Sequence, residues 1–227
     1  MVTLFICFFI FFFTLFIFSQ DDFIFLRKNI PMERVFNVAF IVGLSGLFVA
    51  RLFFVIFHFS PQYLHPLVFL VFPYFPGLSI FGGIAGGLSV LFLYSLYRRL
   101  PVGRFFDFFS FSFLLSSTGG LLIEEVVRLL GKKTFVLSNM VSPILFTILS
   151  LVFIFFLLPM HKRGELKEGS LGLLFLLSFS VLFLIAETLS VSQKLFFDLT
   201  PESLLVIPIL IASTVLFIRR ENFFSFF

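Results

Sequence analysis

Seven stretches of nearly uninterrupted apolar residues, each close to the length that crosses a bilayer, take up most of the 227 positions and dominate what the chain can fold into. A helix needs about 20 mostly apolar residues to span the hydrocarbon core. The stretches lie at approximately 1–18, 35–58, 77–97, 105–130, 142–159, 170–188 and 202–218, and the joints between them are too short for a soluble head. With 60% hydrophobic and 12% charged residues, the chain lacks the polar surface of a water-soluble globule. The spacing predicts an all-α, polytopic membrane protein, about seven transmembrane helices in one bundle, forming a single integral membrane domain over 1–227. The first stretch has no basic leader and no small-residue cleavage site near Ser19, so it reads as a retained span and not a signal peptide.

The charges test this division. Lys and Arg accumulate in short cytoplasmic loops. Arg27, Lys28 and Arg34 follow the first span, Arg98, Arg99 and Arg104 the third, Lys162, Arg163 and Lys167 the fifth, and Arg219 and Arg220 the seventh. The opposite connections carry only Lys132, Lys133 and Lys194. Eleven against three predicts an outer N-terminus and a cytoplasmic C-terminus. The net charge of +4 therefore reflects topology, and nucleic acid is not an expected partner. Cys7 is the single cysteine, which excludes an internal disulfide.

Two places interrupt the helical pattern. Residues 65–76 are apolar but hold Pro66, Pro73 and Pro76, which predicts an outer re-entrant or interfacial segment. The fourth span carries Ser116, Ser117, Thr118, Gly119 and Gly120 at its middle, and such a run predicts a kinked or broken helix. In the third span Gly82, Gly83, Gly86 and Gly87 form two overlapping pairs of small residues four apart. They admit two readings, close helix packing or bare backbone lining a lipid cavity. Gly43 with Gly46, and Gly119 with Gly120, admit the same two.

Ionisable groups at membrane depth require a partner, a wet cavity or a function. Arg51, Asp107, Glu124, Glu125, Arg128 and Glu187 qualify. Glu124 and Arg128 are four apart and Glu125 and Arg128 three apart, so they share a helical face and can neutralise one another. Asp107 falls near the cytoplasmic end, beside water. Arg51 has no acid nearby in sequence and is expected to face the interior, where its guanidinium suits a lipid phosphate. His58, His65 and His161 have no metal-ligand spacing and read as surface residues; no metal and no cofactor are expected.

The order of segments resembles the bacterial prolipoprotein diacylglyceryl transferases. LRKNIPMERVFNVAFIVGLSGLFVARLFFVIF (26–57) is similar to the family's basic loop, Ile-Pro-x-Glu turn and Gly-Ala-Arg-Leu span end. HPLVFLVFPYFPGLSIFGGIAGGLSVLFLYSLYRRLPVGRFFDFF (65–109) is similar to its outer loop, His-Gly-Gly span, basic loop and following Asp. Weaker similarity continues through GKKT (131–134) and the last three spans. The resemblance implies seven spans in a bacterial plasma membrane. It also implies transfer of diacylglycerol from phosphatidylglycerol to the lipobox cysteine thiol of a pre-lipoprotein. It carries Arg51, Gly82, Gly83 and Asp107 into a lipid-binding site, to which the glycine pattern adds Gly86.

Several motif positions differ. Phe81 stands where the resemblance implies histidine, Gly120 where it implies arginine and Ile123 where it implies asparagine; the arginine implied in span six falls near Leu182. The only replacements with suitable chemistry are Arg51, Glu124, Glu125 and Arg128. Three functions are therefore carried forward: a transferase with a relocated site, a non-catalytic relative binding lipid or a membrane partner, and a small transporter or channel.

Overall fold

The computed structural model describes residues 2–20, 22–59, 63, 77–131, 137–190 and 203–221, with backbone alone at 2, 137–139, 187–190 and 203–204. Every regular element among them is helical: α1 (Val2–Ser19), α2 (Phe23–Arg27), α3 (Met32–Phe57), α4 (Ile80–Tyr97), α5 (Val102–Leu130), α6 (Leu137–Val152), a π-helical turn (Phe153–Leu157) running into α7 (Leu158–Lys162), α8 (Ser170–Ser190) and α9 (Ser203–Glu221). Met32–Phe57, Ile80–Tyr97, Val102–Leu130 and the run Met140–Lys162 are long and apolar enough to cross a membrane, and Thr3–Ser19 and Ser170–Ala186 are shorter apolar helices. The chain is thus an all-α polytopic membrane bundle. The re-entrant segment expected over 65–76, and Lys132, Lys133 and Lys194, lie outside the described residues, as does the side chain of Glu187.

The joints follow from local chemistry. Asp22 caps α2 by accepting from the amides of Ile24 and Phe25, groups that the first helical turn leaves without partners. Asn29 then takes a left-handed conformation (φ 49°) and Pro31 starts α3. Ser79 caps α4 by accepting from Gly82 N at 3.2 Å, while its own amide donates to the Ala50 carbonyl of α3 at 3.1 Å.

Small residues decide which helices touch. Between α3 and α4, a Cβ placed on Gly82 would lie 2.7 Å from Phe53 Cβ, and one on Gly86 would overlap Val49 Cβ. These two glycines are therefore spent on helix approach. Gly86→Ala is expected to cost about 1–3 kcal/mol through overpacking, read as a lower unfolding temperature in detergent. Adding Val49→Gly should recover more of it than adding Val49→Ala, because alanine keeps the Cβ that collides.

The fourth span corrects the expectation of a break, for α5 runs continuously through Ser116 to Gly120. The small residues form the groove in which α1 lies. Ser116 donates to the Cys7 carbonyl at 2.6 Å, a Cβ on Gly119 would meet Ile10 Cδ1 at 2.7 Å, and one on Gly120 would meet Cys7 Sγ at 2.5 Å. Thr118 turns the other way, 2.8 Å from Ser150 Oγ on α6. Helix backbone broken elsewhere would need new partners inside a bilayer; here the hydroxyls instead tie neighbouring helices together. The departure from α geometry falls at Phe153–Leu157. Proline has no amide and its ring crowds the carbonyl four residues back, so Pro159 favours the widened turn just before it.

Candidate functional site

A cavity of about 1100 Å³ opens among α1, α3, α4, α5, α6 and α8, larger than the roughly 300–1,000 Å³ of pockets that take drug-sized ligands. Its walls are mainly Phe and Leu, with Gly and Ser between them. Gly83 and Gly87 expose backbone to it from α4, and Gly43 and Gly46 do so from α3. All four glycines of α4 approach α3, Gly82 and Gly86 against Phe53 and Val49, Gly83 and Gly87 against Ala50 and Val42, and Gly83 and Gly87 also border the cavity.

Arg51 is buried at 2% exposure, as its place in an apolar span required. Its Nη1 donates to the Gly77 carbonyl at 2.8 Å, and its guanidinium lies 5.6 Å from the Phe54 ring and 5.2 Å from that of Tyr63. Such faces attract a desolvated cation. Arg51 thus pins the turn that leads into α4. Phe81 is buried at 1%, with edge-to-face contacts to Phe179 at 5.9 Å and Phe183 at 4.7 Å.

The acidic cluster lies at the far end of α5. Arg128 reaches Glu125 at 3.0 Å and Glu124 at 3.8 Å, the pairing that their spacing allowed. Glu125 is buried against α6, while Glu124 is exposed and belongs to the cavity wall. The structure does not bring this cluster to Asp107, which sits at the opposite end of the same helix.

Asp107 corrects a second expectation: it is not beside water but 0% exposed. Its two oxygens accept from Gly169 N at 2.7 Å and Gly172 N at 2.8 Å, so a carboxylate from α5 caps α8 from outside that helix. Gly169 takes a φ of +87°, which favours glycine. His161, expected at the surface, is 3% exposed. Its Nε2 lies 3.8 Å from Asp107 and contacts Arg104 Nη1. Arginine has only donors, so this contact calls for Nε2 as the acceptor. Arg104 also approaches Asp22 and Glu168, each at 3.9 Å. No motif announced this knot; the one available signal was an acid in sequence among basic loop residues. Among the described residues no group of His, Cys, Asp or Glu has the grouping of a metal site.

Comparison with known proteins follows the same outline. The family model for prolipoprotein diacylglyceryl transferase matches residues 3–219. A phosphatidylglycerol–prolipoprotein diacylglyceryl transferase of Fusobacterium nucleatum subsp. nucleatum is 28% identical over 94 residues, covering 41% of this chain. The match spans 32% of that relative's length.

Proposed function

Since the chain belongs to the prolipoprotein diacylglyceryl transferase family, we propose that it keeps a lipid-holding scaffold, seating a two-chain glycerolipid between its helices, without the transfer chemistry. Diacylglyceryl transfer in lipoprotein biosynthesis, with phosphatidylglycerol and a pre-lipoprotein as partners, is what the family implies. The observation that carries the non-catalytic reading is the occupation of two motif positions. Phe81, at the implied histidine, is locked between Phe179 and Phe183, and Gly120, at the implied arginine, lies under the Cys7 sulfur. Neither leaves a group that transfers a proton or holds a phosphate. The chain sits in the bacterial plasma membrane as one domain, with the N-terminus outside, as the loop charges support.

A transferase with a relocated site is the second reading, favoured by one observation: Glu124 lines the cavity within 3.8 Å of Arg128. Transport was motivated by a broken fourth span, and α5 is continuous.

Mass spectrometry of lipid retained through purification in a mild detergent tests the scaffold. A stoichiometric two-chain glycerolipid is expected. Cys7 lines the same cavity, so its labelling by a membrane-permeant maleimide should be slower in lipid-loaded than in lipid-stripped protein. Protein that retains no lipid, with a thiol equally reactive in both states, would remove the proposal.

A further inference from the structure

We infer that the edge where α2, the start of α3 and the end of α4 meet seats the headgroups of anionic phospholipids in the surrounding bilayer, with Arg98 and Arg99 as its anchors. This edge is separate from the cavity, whose lining includes neither arginine. One apolar core holds the edge together: Phe25, Val35, Leu91, Leu100 and Phe105 are buried in a single cluster, with Tyr94 packed against it. Around that core Arg27, Lys28, Arg34, Arg98 and Arg99 are all exposed. The acids of the same two stretches, 20–34 and 94–104, are Asp21, Asp22 and Glu33. Asp22 is turned to the amides that it caps and to Arg104. Five cations thus stand against Asp21 and Glu33, and the edge stays positive however these pair.

Backbone geometry singles out Arg99. It is held at φ 54° in the turn that closes α4, where Arg98 N donates to the Tyr94 carbonyl at 2.9 Å and Leu100 N to the Ser95 carbonyl at 2.8 Å. Glycine is the usual residue at such a closure, because a Cβ is disfavoured there. The matching turn after α2 carries Asn29 at φ 49°, and asparagine tolerates this conformation. A charge needed only to orient the chain in the membrane would serve as well at a neighbouring, unstrained position. Strain retained at an exposed arginine therefore points to a ligand. Arg98 is ordered too, with its guanidinium 5.8 Å from the Tyr94 ring and 5.5 Å from that of Tyr97.

The apolar neighbours identify the partner. Phe23, Leu26, Leu96 and Tyr97 are exposed along the same edge. Cations beside apolar and tyrosine side chains match the boundary between acyl chains and headgroups, and guanidinium forks match phosphate oxygens. An acidic protein segment would satisfy the cations alone.

Full-length protein in nanodiscs of equal phosphatidylserine and phosphatidylcholine, extracted into mild detergent and read by mass spectrometry of the retained lipid, tests the assignment. With each nearby Lys or Arg worth a preference of up to roughly fivefold, phosphatidylserine is expected to be retained over phosphatidylcholine by about tenfold. That excess should shrink at high salt. Arg98→Gln and Arg99→Gly should each lower the ratio by about threefold to fivefold, while Arg99→Lys keeps most of it. Arg99→Gly should also raise the unfolding temperature in detergent by about 2 °C, since glycine relieves the turn. Both positions are exposed, and gel filtration checks that each variant is intact. Equal retention of the two lipids by the unaltered protein overturns the inference in favour of an acidic protein partner. A ratio unchanged in both Arg98→Gln and Arg99→Gly also overturns it, since the anionic lipid would then be held elsewhere.

Discussion

Reconstituted with phosphatidylglycerol and a cysteine-containing lipobox peptide, the protein is expected to form no diacylglyceryl thioether above background, read as a mass shift on the peptide thiol. A positioned proton-transfer group is worth about 10² to 10⁴ in rate, and one preorganised stabiliser of developing charge about 10² to 10³. Losing both removes on the order of 10⁴ to 10⁷. Single substitutions should not restore activity. Phe81→His places an imidazole at a site that is 1% exposed and walled by Phe179 and Phe183, where its polar nitrogens meet aromatic carbon. Gly120→Arg brings a Cβ within 2.5 Å of the Cys7 sulfur, which has to turn aside before the longer side chain fits. A product that depends on the peptide thiol and vanishes in Arg128→Ala would refute the non-catalytic reading and place the chemistry at the Glu124, Glu125 and Arg128 cluster.

The largest effect on stability is expected at Asp107. Asp107→Ala strands the amides of Gly169 and Gly172 and removes the carboxylate 3.8 Å from His161. Removing one member of a buried charged network typically costs about 3–5 kcal/mol. Asp107→Asn retains one acceptor oxygen and should lose roughly half as much, about 1–3 kcal/mol, as one unsatisfied donor would. Thermal unfolding in detergent separates the two variants. Equal stability of Asp107→Ala and the unaltered protein would show that the α8 cap contributes nothing.

The long elements were legible because a bilayer imposes one requirement, about 20 apolar residues per helix, and the chain meets it repeatedly. The pairing of Arg128 with Glu124 and Glu125 was legible too, since helical spacing decides it locally. What stayed hidden depends on partners distant in sequence. Ser116 to Gly120 has the composition of a helix breaker, and only the presence of α1 at Cys7 and Ile10 turns it into a packing groove. His161 looked like a loop residue because the charged groups beside it, Arg104 and Asp107, are more than fifty positions away. The glycines of α4 left two readings open because a one-dimensional pattern does not say which neighbour each face meets. All four meet α3, and Gly83 and Gly87 also border the cavity.

The widened turn at Phe153–Leu157 also affects how the helix counts. In a regular α-helix each residue advances by about 100°, so eight steps would leave His161 about 80° away from the face of Phe153. The wide turn absorbs one residue, and both side chains are buried, at 1% for Phe153 and 3% for His161. The two halves of this helix consequently keep independent phases, like two rulers joined with one mark skipped. An insertion or deletion of a single residue can be absorbed at this joint without rotating either half. A residue-by-residue alignment with any relative that lacks the wide turn must therefore shift by one position beyond Leu157.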